Sequence, residues 1–480
     1  MFHRSSLAIR ATLLVGWLVI GFSLRHAQAA DQGVGRPRPN IVFLLADDLG
    51  WSDVGYHGSE IRTPQIDRLA QAGARLEAFY VQPVCSPTRA ALMTGRYPMR
   101  HGLQVGVVRP WAQYGLPLEE RTLAQALGDA GYTTAICGKW HLGHFQPAYL
   151  PTRRGFRHQY GHYNGALDYF THERDGGFDW HRDDQVCRDA GYTTELLGDE
   201  AVRLIEQQDS RTPLFLYVPF NAPHTPLQAL PEHLQQYQHL ADPQRRTYAA
   251  MVHAVDEQIG RIAAAIEKRG MLDQTLFIFS SDNGGPIRQG ATNGKLRAGK
   301  GTLYEGGTRV AAWACWRGQI PAGTQVDVPL HMVDWFPTLC GLAGASLDQP
   351  LPLDGRDAWA AITQGAPSPH DAILLNTTPR GGAIRVGNWK LVVNGGVQEG
   401  DEAAVPAGKK KKKAKSVEGQ GVELFDLARD PGEQQNLARE HPETVAELQK
   451  RLDALARQAV PPKSAPKAAG FVSPAVWGER

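Results

Sequence analysis

The 480 residues exceed what one small core needs, and 42% hydrophobic with 21% charged residues is the composition of a globular protein, which excludes a mainly disordered or fibrous one. A formal charge of +2 gives no bulk basic signal for a nucleic-acid partner, and five cysteines in this length exclude a disulfide scaffold. His3, Arg4 and Arg10 form a basic start ahead of an uncharged apolar stretch over residues 11–24, and Ala27-Gln28-Ala29 supplies the small residues a signal peptidase needs. The stretch falls short of the ~20 residues that span a bilayer, so residues 1–29 are expected to be a signal peptide rather than an uncleaved anchor. Export to a periplasmic or extracellular location follows, with no stable membrane insertion.

From Asn40 the chain alternates strands and helices. Residues 41–46 are a continuous apolar run, as expected of a strand covered on both faces. Thr63-Pro64 opens a helix that stops at Gly73, residues 123–130 form a second that stops at Gly131, and residues 132–137 are a strand. Residues 214–219 and 276–280 are two further buried strands, with Val252, Val255, Ile259, Ile262 and Ile266 recurring at helical spacing between them. The alternation predicts an α/β fold with a mostly parallel sheet and helices on both faces. Near residue 370 the pattern changes. Residues 383–393 look like a hairpin, and Pro442 opens a helix with Val445, Leu448, Leu452 and Leu455 on one face, so a smaller C-terminal α/β domain is expected. The expected organisation is a catalytic domain over 38–365, a C-terminal subdomain over 366–460 and a Pro/Ala-rich tail over 461–480. Lys409 to Lys413 with Lys415 make a charge run expected to be a solvated loop, the alternative being a contact with a polyanionic substrate.

Two predicted strands end in the same chemistry. Residues 41–46 lead into Asp47-Asp48, and residues 276–280 into Ser281-Asp282-Asn283-Gly284-Gly285. Ligands collect beyond the carboxyl ends of strands in an open parallel sheet, and three carboxylates converging there repel unless a hard cation sits among them. Oxygen donors of this kind suit Ca²⁺ or Mg²⁺, and flexible carboxylate clusters lean towards Ca²⁺. A second constellation is Cys85-Ser86-Pro87-Thr88-Arg89, running on to Gly95-Arg96. Pro87 suits a first helical turn and Gly95 a helix end, which places Cys85 just before a helix N-terminus, where backbone N–H groups favour anions.

Cys-x-Pro-x-Arg with its continuation through Pro98 resembles the signature of the type I sulfatases, in which the cysteine is oxidised to Cα-formylglycine (3-oxoalanine). Residues 39–53, Gly138-Lys139-Trp140-His141-Leu142-Gly143, Ala222-Pro223-His224-Thr225-Pro226-Leu227 and Ser281 to Gly285 resemble that family too, as do residues 303–310, 353–357 and 423–427. The segments around Asp168-Tyr169-Phe170-Thr171-His172-Glu173 and Gly299-Lys300-Gly301 are most similar to the arylsulfatase B (N-acetylgalactosamine-4-sulfatase) branch. The resemblance implies an alkaline-phosphatase-like fold and hydrolysis of a sulfate monoester on a sulfated saccharide or an aryl sulfate. It implies one Ca²⁺ held by Asp47, Asp48, Asp282 and Asn283 with an oxygen of modified Cys85, and a formylglycine-generating enzyme as maturation partner. It further implies that a formylglycine hydrate attacks sulfur, that Arg89 and Lys139 hold the hydrate, and that His141 takes the proton from its second hydroxyl. His224 and Lys300 would hold the sulfate oxygens and protonate the leaving alcohol, in a division the sequence leaves open.

Two rival functions fit the same residues: a phosphonate or phosphodiester hydrolase with the same metal edge, and a sulfated-glycan binding protein that has lost catalysis. His162, Tyr163, Asn164, Tyr169 and His172 are expected to read a galactose-type sugar, with further subsite residues around Arg288 to Thr292. Cys137 reads as core, although Cys137, Cys187, Cys315 and Cys340 allow two disulfides in three pairings. Asn376-Thr377-Thr378 fits a glycosylation acceptor.

Overall fold

A strand without a polar face must be covered twice, and β1 (Asn40–Ala46) is: Ile41, Phe43 and Leu45 enter one core, Val42, Leu44 and Ala46 another. The computed structural model describes residues 38–396 and 421–479. The expected signal peptide and the lysine run at 409–415 lie outside the described residues, and no helix among the described residues is long and apolar enough to cross a membrane.

β1 is a middle strand of a ten-stranded sheet. The others in chain order are β2 (Ala74–Leu76), β3 (Thr133–Lys139), β4 (His158–His162), β5 (His181–Arg182), β6 (Gln185–Val186), β7 (Leu214–Pro219), β8 (Thr275–Ser281), β9 (Ala312–Cys315) and β10 (Thr324–Val326). The spatial order is β10-β2-β9-β8-β1-β7-β3-β4-β5-β6. β8, β1, β7, β3 and β4 run parallel, and β9 and β5 return antiparallel on either side. The carboxyl ends of the parallel strands therefore meet at one edge of the sheet.

The helices are α1 (Pro64–Gln71), α2 (Cys85–Thr94), α3 (Leu123–Asp129), α4 (Thr193–Gln207), α5 (Pro231–Gln236), α6 (Pro243–Lys268), α7 (Glu305–Thr308), α8 (Trp335–Ala343), α9 (Trp359–Gln364) and α10 (Pro442–Ala456). α2, α3, α8 and α9 cover one face, and α1, α4 and α6 the other. α3 is fixed by a reciprocal cap in which the Thr122 hydroxyl accepts from Gln125 N–H and the Gln125 side chain accepts from Thr122 N–H. The mostly parallel sheet with helices on both faces is as the alternation predicts.

The expected C-terminal hairpin is wider than the sequence suggests. β11 (Ile373–Thr378), β12 (Gly381–Val386), β13 (Trp389–Val393) and β14 (Val422–Asp426) form an antiparallel meander. Leu448 and Leu452 of α10 pack on one face together with Ala91 and Met99, while the other face shares a core with Tyr80, Leu303 and Tyr304. The junction also buries charge. Lys390 is 0% exposed, with Nζ 2.9 Å from Glu305 Oε1 and 2.8 Å from Glu433 Oε1. Burial, with the Glu305 charge beside it, pushes the Glu433 carboxyl up to about 7.

Two details depart from the sequence expectations and a third adds to them. All five cysteines are free thiols in the structure, so none of the three pairings forms, and Cys137 is buried core as expected. Asn376 is 2% exposed and donates from Nδ2 to the Gln104 carbonyl at 3.0 Å, so the acceptor motif is closed to a glycan. The Pro/Ala-rich tail, for which the sequence predicts no contact, docks. Val476 bridges to Phe178, and the buried Trp477 donates its Nε1–H to the Arg174 carbonyl at 2.8 Å. Trp477 also meets His144 edge-on, with ring centroids 5.5 Å apart.

Candidate active site

The site assembles where four parallel strands stop. Asp47 follows β1, Asp282 follows β8, Lys139 ends β3, and residues 221–224 follow β7. Backbone hydrogen bonds lock these ends together: Asp47 N–H donates to the Ala222 carbonyl at 3.1 Å and Asp282 N–H to the Ala46 carbonyl at 3.0 Å. Asp48 sits in the left-handed region (φ 74°), which turns its carboxylate back onto the cluster. Its N–H donates to Asp282 Oδ1 at 3.3 Å.

Cys85 is the first residue of α2 rather than the residue before it, and the helix ends at Gly95 in the left-handed conformation (φ 65°). Its thiol donates to Asp47 Oδ1 at 3.5 Å. Asp47, Asp48, Cys85 and His224 each bring a ligand atom within 4.8 Å of the others. Arg89, one turn along α2, donates twice to Asp282 Oδ2, from Nε at 3.1 Å and Nη2 at 2.7 Å, and once to the Lys139 carbonyl at 2.9 Å. Lys139 Nζ lies 2.5 Å from Asp47 Oδ2, and Lys300 Nζ 2.8 Å from Asp48 Oδ1. Asn283 Nδ2 donates to Asp48 Oδ1 at 2.7 Å, and His224 Nε2 is 3.7 Å from Asp48 Oδ2.

His141 joins through the backbone. The Ser86 hydroxyl donates to the His141 carbonyl at 2.9 Å and accepts from Val108 N–H at 3.0 Å, while His141 Nε2 lies 3.1 Å from the Val108 carbonyl. A carbonyl only accepts, so Nε2 carries the proton and the buried Nδ1 is left as an acceptor with no partner among the described residues.

The electrostatics follow from burying this many charges. Asp47, Asp48, Asp282, Asn283, Cys85 and Lys139 are 0% exposed. Burial, then the Asp282 charge, pushes Asp47 up to about 8 despite Lys139 and Arg89. Burial opposes ionisation of Asp48 too, but Lys300 and His224 outweigh it and hold that carboxyl at about 2. Burial, reinforced by Lys139 and Arg89, holds His141 well below the usual imidazole range, so it is neutral at pH 7. Burial and Asp282 push the Cys85 thiol well up, so the unmodified sulfur is a poor nucleophile.

The structure thus gathers all ten residues singled out from the sequence: Asp47, Asp48, Cys85, Arg89, Lys139, His141, His224, Asp282, Asn283 and Lys300. It overturns the expected sugar readers. His162, Tyr163, Asn164, Tyr169 and His172 are each at most 1% exposed and face inward. Tyr169 O–H points at the carbonyls of Asn221 and His224, 2.7 Å from each, so it fastens the His224 loop rather than meeting solvent. Asp179 explains two more: it accepts from Tyr163 N–H at 3.0 Å and from Asn164 N–H at 2.8 Å. Two residues of the Cys-x-Pro-x-Arg motif support the site without a role expected from the sequence: Ser86, and Thr88, whose hydroxyl closes the loop before Cys85 by accepting from Gln82 N–H at 2.9 Å. The signal was their hydroxyl at the start of a helix, where such groups bond backbone.

The sulfatase family profile matches residues 39–345. Arylsulfatase J of Mus musculus is 36% identical to this chain, over 92% of it and 80% of the relative. N-acetylgalactosamine-6-sulfatase of Mus musculus is 35% identical over 69% of this chain and 68% of its own. Among solved structures, Ps i-CgsB in complex with k-i-k-neocarrahexaose superposes with a TM-score of 0.79 at 32% identity, covering 88% of this chain and 94% of that one.

Proposed function

The chain belongs to the sulfatase family and is a sulfuric ester hydrolase, and from that premise we propose that it removes sulfate from a sulfated carbohydrate, using one Ca²⁺ and Cys85 matured to Cα-formylglycine. The observation that carries this proposal is the buried ring of Asp47, Asp48, Asp282 and Asn283 around residue 85, faced by Arg89, Lys139 and Lys300.

The donor set fits a hard divalent cation. Its donors are oxygens, Asn283 Oδ1 is buried with no partner among the described residues, and burial with the neighbouring Asp282 charge pushes Asp47 up, a repulsion that a cation would offset. Asp47, Asp48, Asp282 and Asn283 would hold the ion together with residue 85. When present, the ion offsets charge on the sulfate oxygens, and the hydrated formylglycine supplies the oxygen that attacks sulfur.

The chain's own groups do the rest. Arg89 and Lys139 bring two positive charges against residue 85 and hold its oxygens in place. His141, neutral and with Nδ1 bare, accepts a proton at Nδ1 while its Nε2–H stays on the Val108 carbonyl. His224 Nδ1 lies 2.7 Å from the Thr225 carbonyl and so carries a proton, which commits Nε2 as the atom that serves the departing alcohol. Lys300, on the same Asp48 edge, binds the sulfate oxygens. Relatives named for N-acetylgalactosamine sulfate, and a solved relative holding a neocarrahexaose, support a saccharide as the substrate. On this reading residues 1–29 export the chain, and a formylglycine-generating enzyme matures it.

The test is a desulfation screen over defined sulfated oligosaccharides, with a matched pair of aryl sulfate and aryl phosphate alongside. Chelator-sensitive sulfate release from a saccharide, with the aryl sulfate outpacing the phosphate, is expected. Faster turnover of the phosphate would assign a phosphoester or phosphonate hydrolase instead. Absence of turnover in protein shown by mass to carry formylglycine would assign a glycan-binding protein.

A further inference from the structure

We propose that His233, His253 and Glu257 form a second metal site, one that binds Zn²⁺ and clasps α5 to α6. His253 and Glu257 are one turn apart on α6, and His233 reaches them from the six-residue α5. Both imidazoles are buried, 3% and 7% exposed, and both aim Nε2 at the same carboxylate. His233 Nε2 is 2.8 Å from Glu257 Oε2, and His253 Nε2 is 3.2 Å from Oε1. One ligand atom from each of the three lies within 4.8 Å of the others. Tetrahedral Zn²⁺ with bonds near 2.0–2.1 Å separates its ligand atoms by about 3.3 Å, so the two imidazole–carboxylate spacings fall within about 0.5 Å of what the ion requires.

A backbone carbonyl behind His253 orients it as a ligand. His253 Nδ1 is 3.1 Å from the Arg62 carbonyl, which only accepts, so Nδ1 carries a proton. That leaves Nε2, 3.2 Å from Glu257 Oε1, as the ligating atom, with the His233 ring edge-on and its centroid 5.5 Å away. The tautomer is set by the Arg62 carbonyl, as backbone carbonyls commonly orient ligating imidazoles. Two imidazoles and a carboxylate suit Zn²⁺, whereas Ca²⁺ prefers oxygen donors such as the strand-end cluster. The Glu257 side chain is 45% exposed, which leaves a route in and room for a water as fourth ligand.

The experiment uses the full chain, stripped with chelator, returned to saturating Ca²⁺ and then given zinc chloride. Bound zinc is counted by elemental analysis after gel filtration, and the absorption of the Co²⁺-substituted protein reports four-coordination. Wild type is expected to hold one zinc more than Glu257→Gln or His253→Ala and to melt higher with zinc than without, while aryl sulfate turnover of Glu257→Gln matches wild type. Glu257→Gln alters a half-exposed side chain, so it keeps the test valid should His253→Ala fail to fold. Equal zinc in wild type and Glu257→Gln, or no zinc retained by wild type, overturns the proposal.

Discussion

Asp47 makes metal binding and pH inseparable. In the metal-free protein its carboxyl is pushed from 3.8 to about 8, so between those values the folded chain holds a proton that the unfolded chain has lost. A group raised in this way adds stability at low pH and loses it as pH climbs towards 8. A pKa difference is worth about 1.4 kcal/mol per unit, so the metal-free protein should lose about 3 kcal/mol between about pH 5 and pH 7 from this group. Glu433 and Asp256, each pushed up to about 7 with burial the largest cause, add to that slope but lie outside the cluster. The difference between Ca²⁺-loaded and stripped protein therefore isolates Asp47. Since the ion binds the ionised carboxylate, Ca²⁺ affinity should rise about tenfold per pH unit between about pH 6 and pH 7, with about one proton released per ion. Isothermal titration calorimetry in buffers of different ionisation enthalpy measures both quantities. An affinity independent of pH, with no proton released, would refute the reasoning.

Other variants test the supporting structure. Tyr169→Phe strips the donor from two buried carbonyls and should cost about 1–3 kcal/mol in denaturant titrations. It should lower kcat/KM equally for a saccharide and an aryl sulfate, because it acts through His224. Lys390→Met leaves Glu433 buried without its cation and Glu305 with Arg309 alone in ion-pair range, for a loss of about 3–5 kcal/mol, and adding Glu305→Gln should recover part of it in the same unfolding assay. Trp477→Ala empties a buried indole site between the tail and His144 and should cost about 3–5 kcal/mol, read from the urea midpoint.

The parallel core and its edge of carboxylates were legible because each rests on local pattern. An apolar run such as residues 41–46 needs two covered faces, and acids placed directly after two such runs must meet where parallel strands end. What was not legible depends on direction in space. Tyr169 and His172 carry the right chemistry for sugar recognition, yet the turn at residues 168–172 points them inward, towards the carbonyls of Asn221, His224 and Gly191. The tail's composition carries no signal of where it lies, and one tryptophan sixteen residues past Pro461 docks it. Lys390 read as one polar position in a hairpin, and only the tertiary structure reveals two glutamates converging on it from elsewhere in the chain.

The central claim is that the oxygen attacking sulfur belongs to a modified residue 85. Preparations matured to different extents can be compared by mass, because conversion of Cys85 to the aldehyde lightens its peptide by about 18 Da, which hydration restores. Turnover of one aryl sulfate, measured across these preparations and Cys85→Ala, should be proportional to the fraction converted and extrapolate to zero. Turnover that persists at zero conversion, or in Cys85→Ala, would contradict the account.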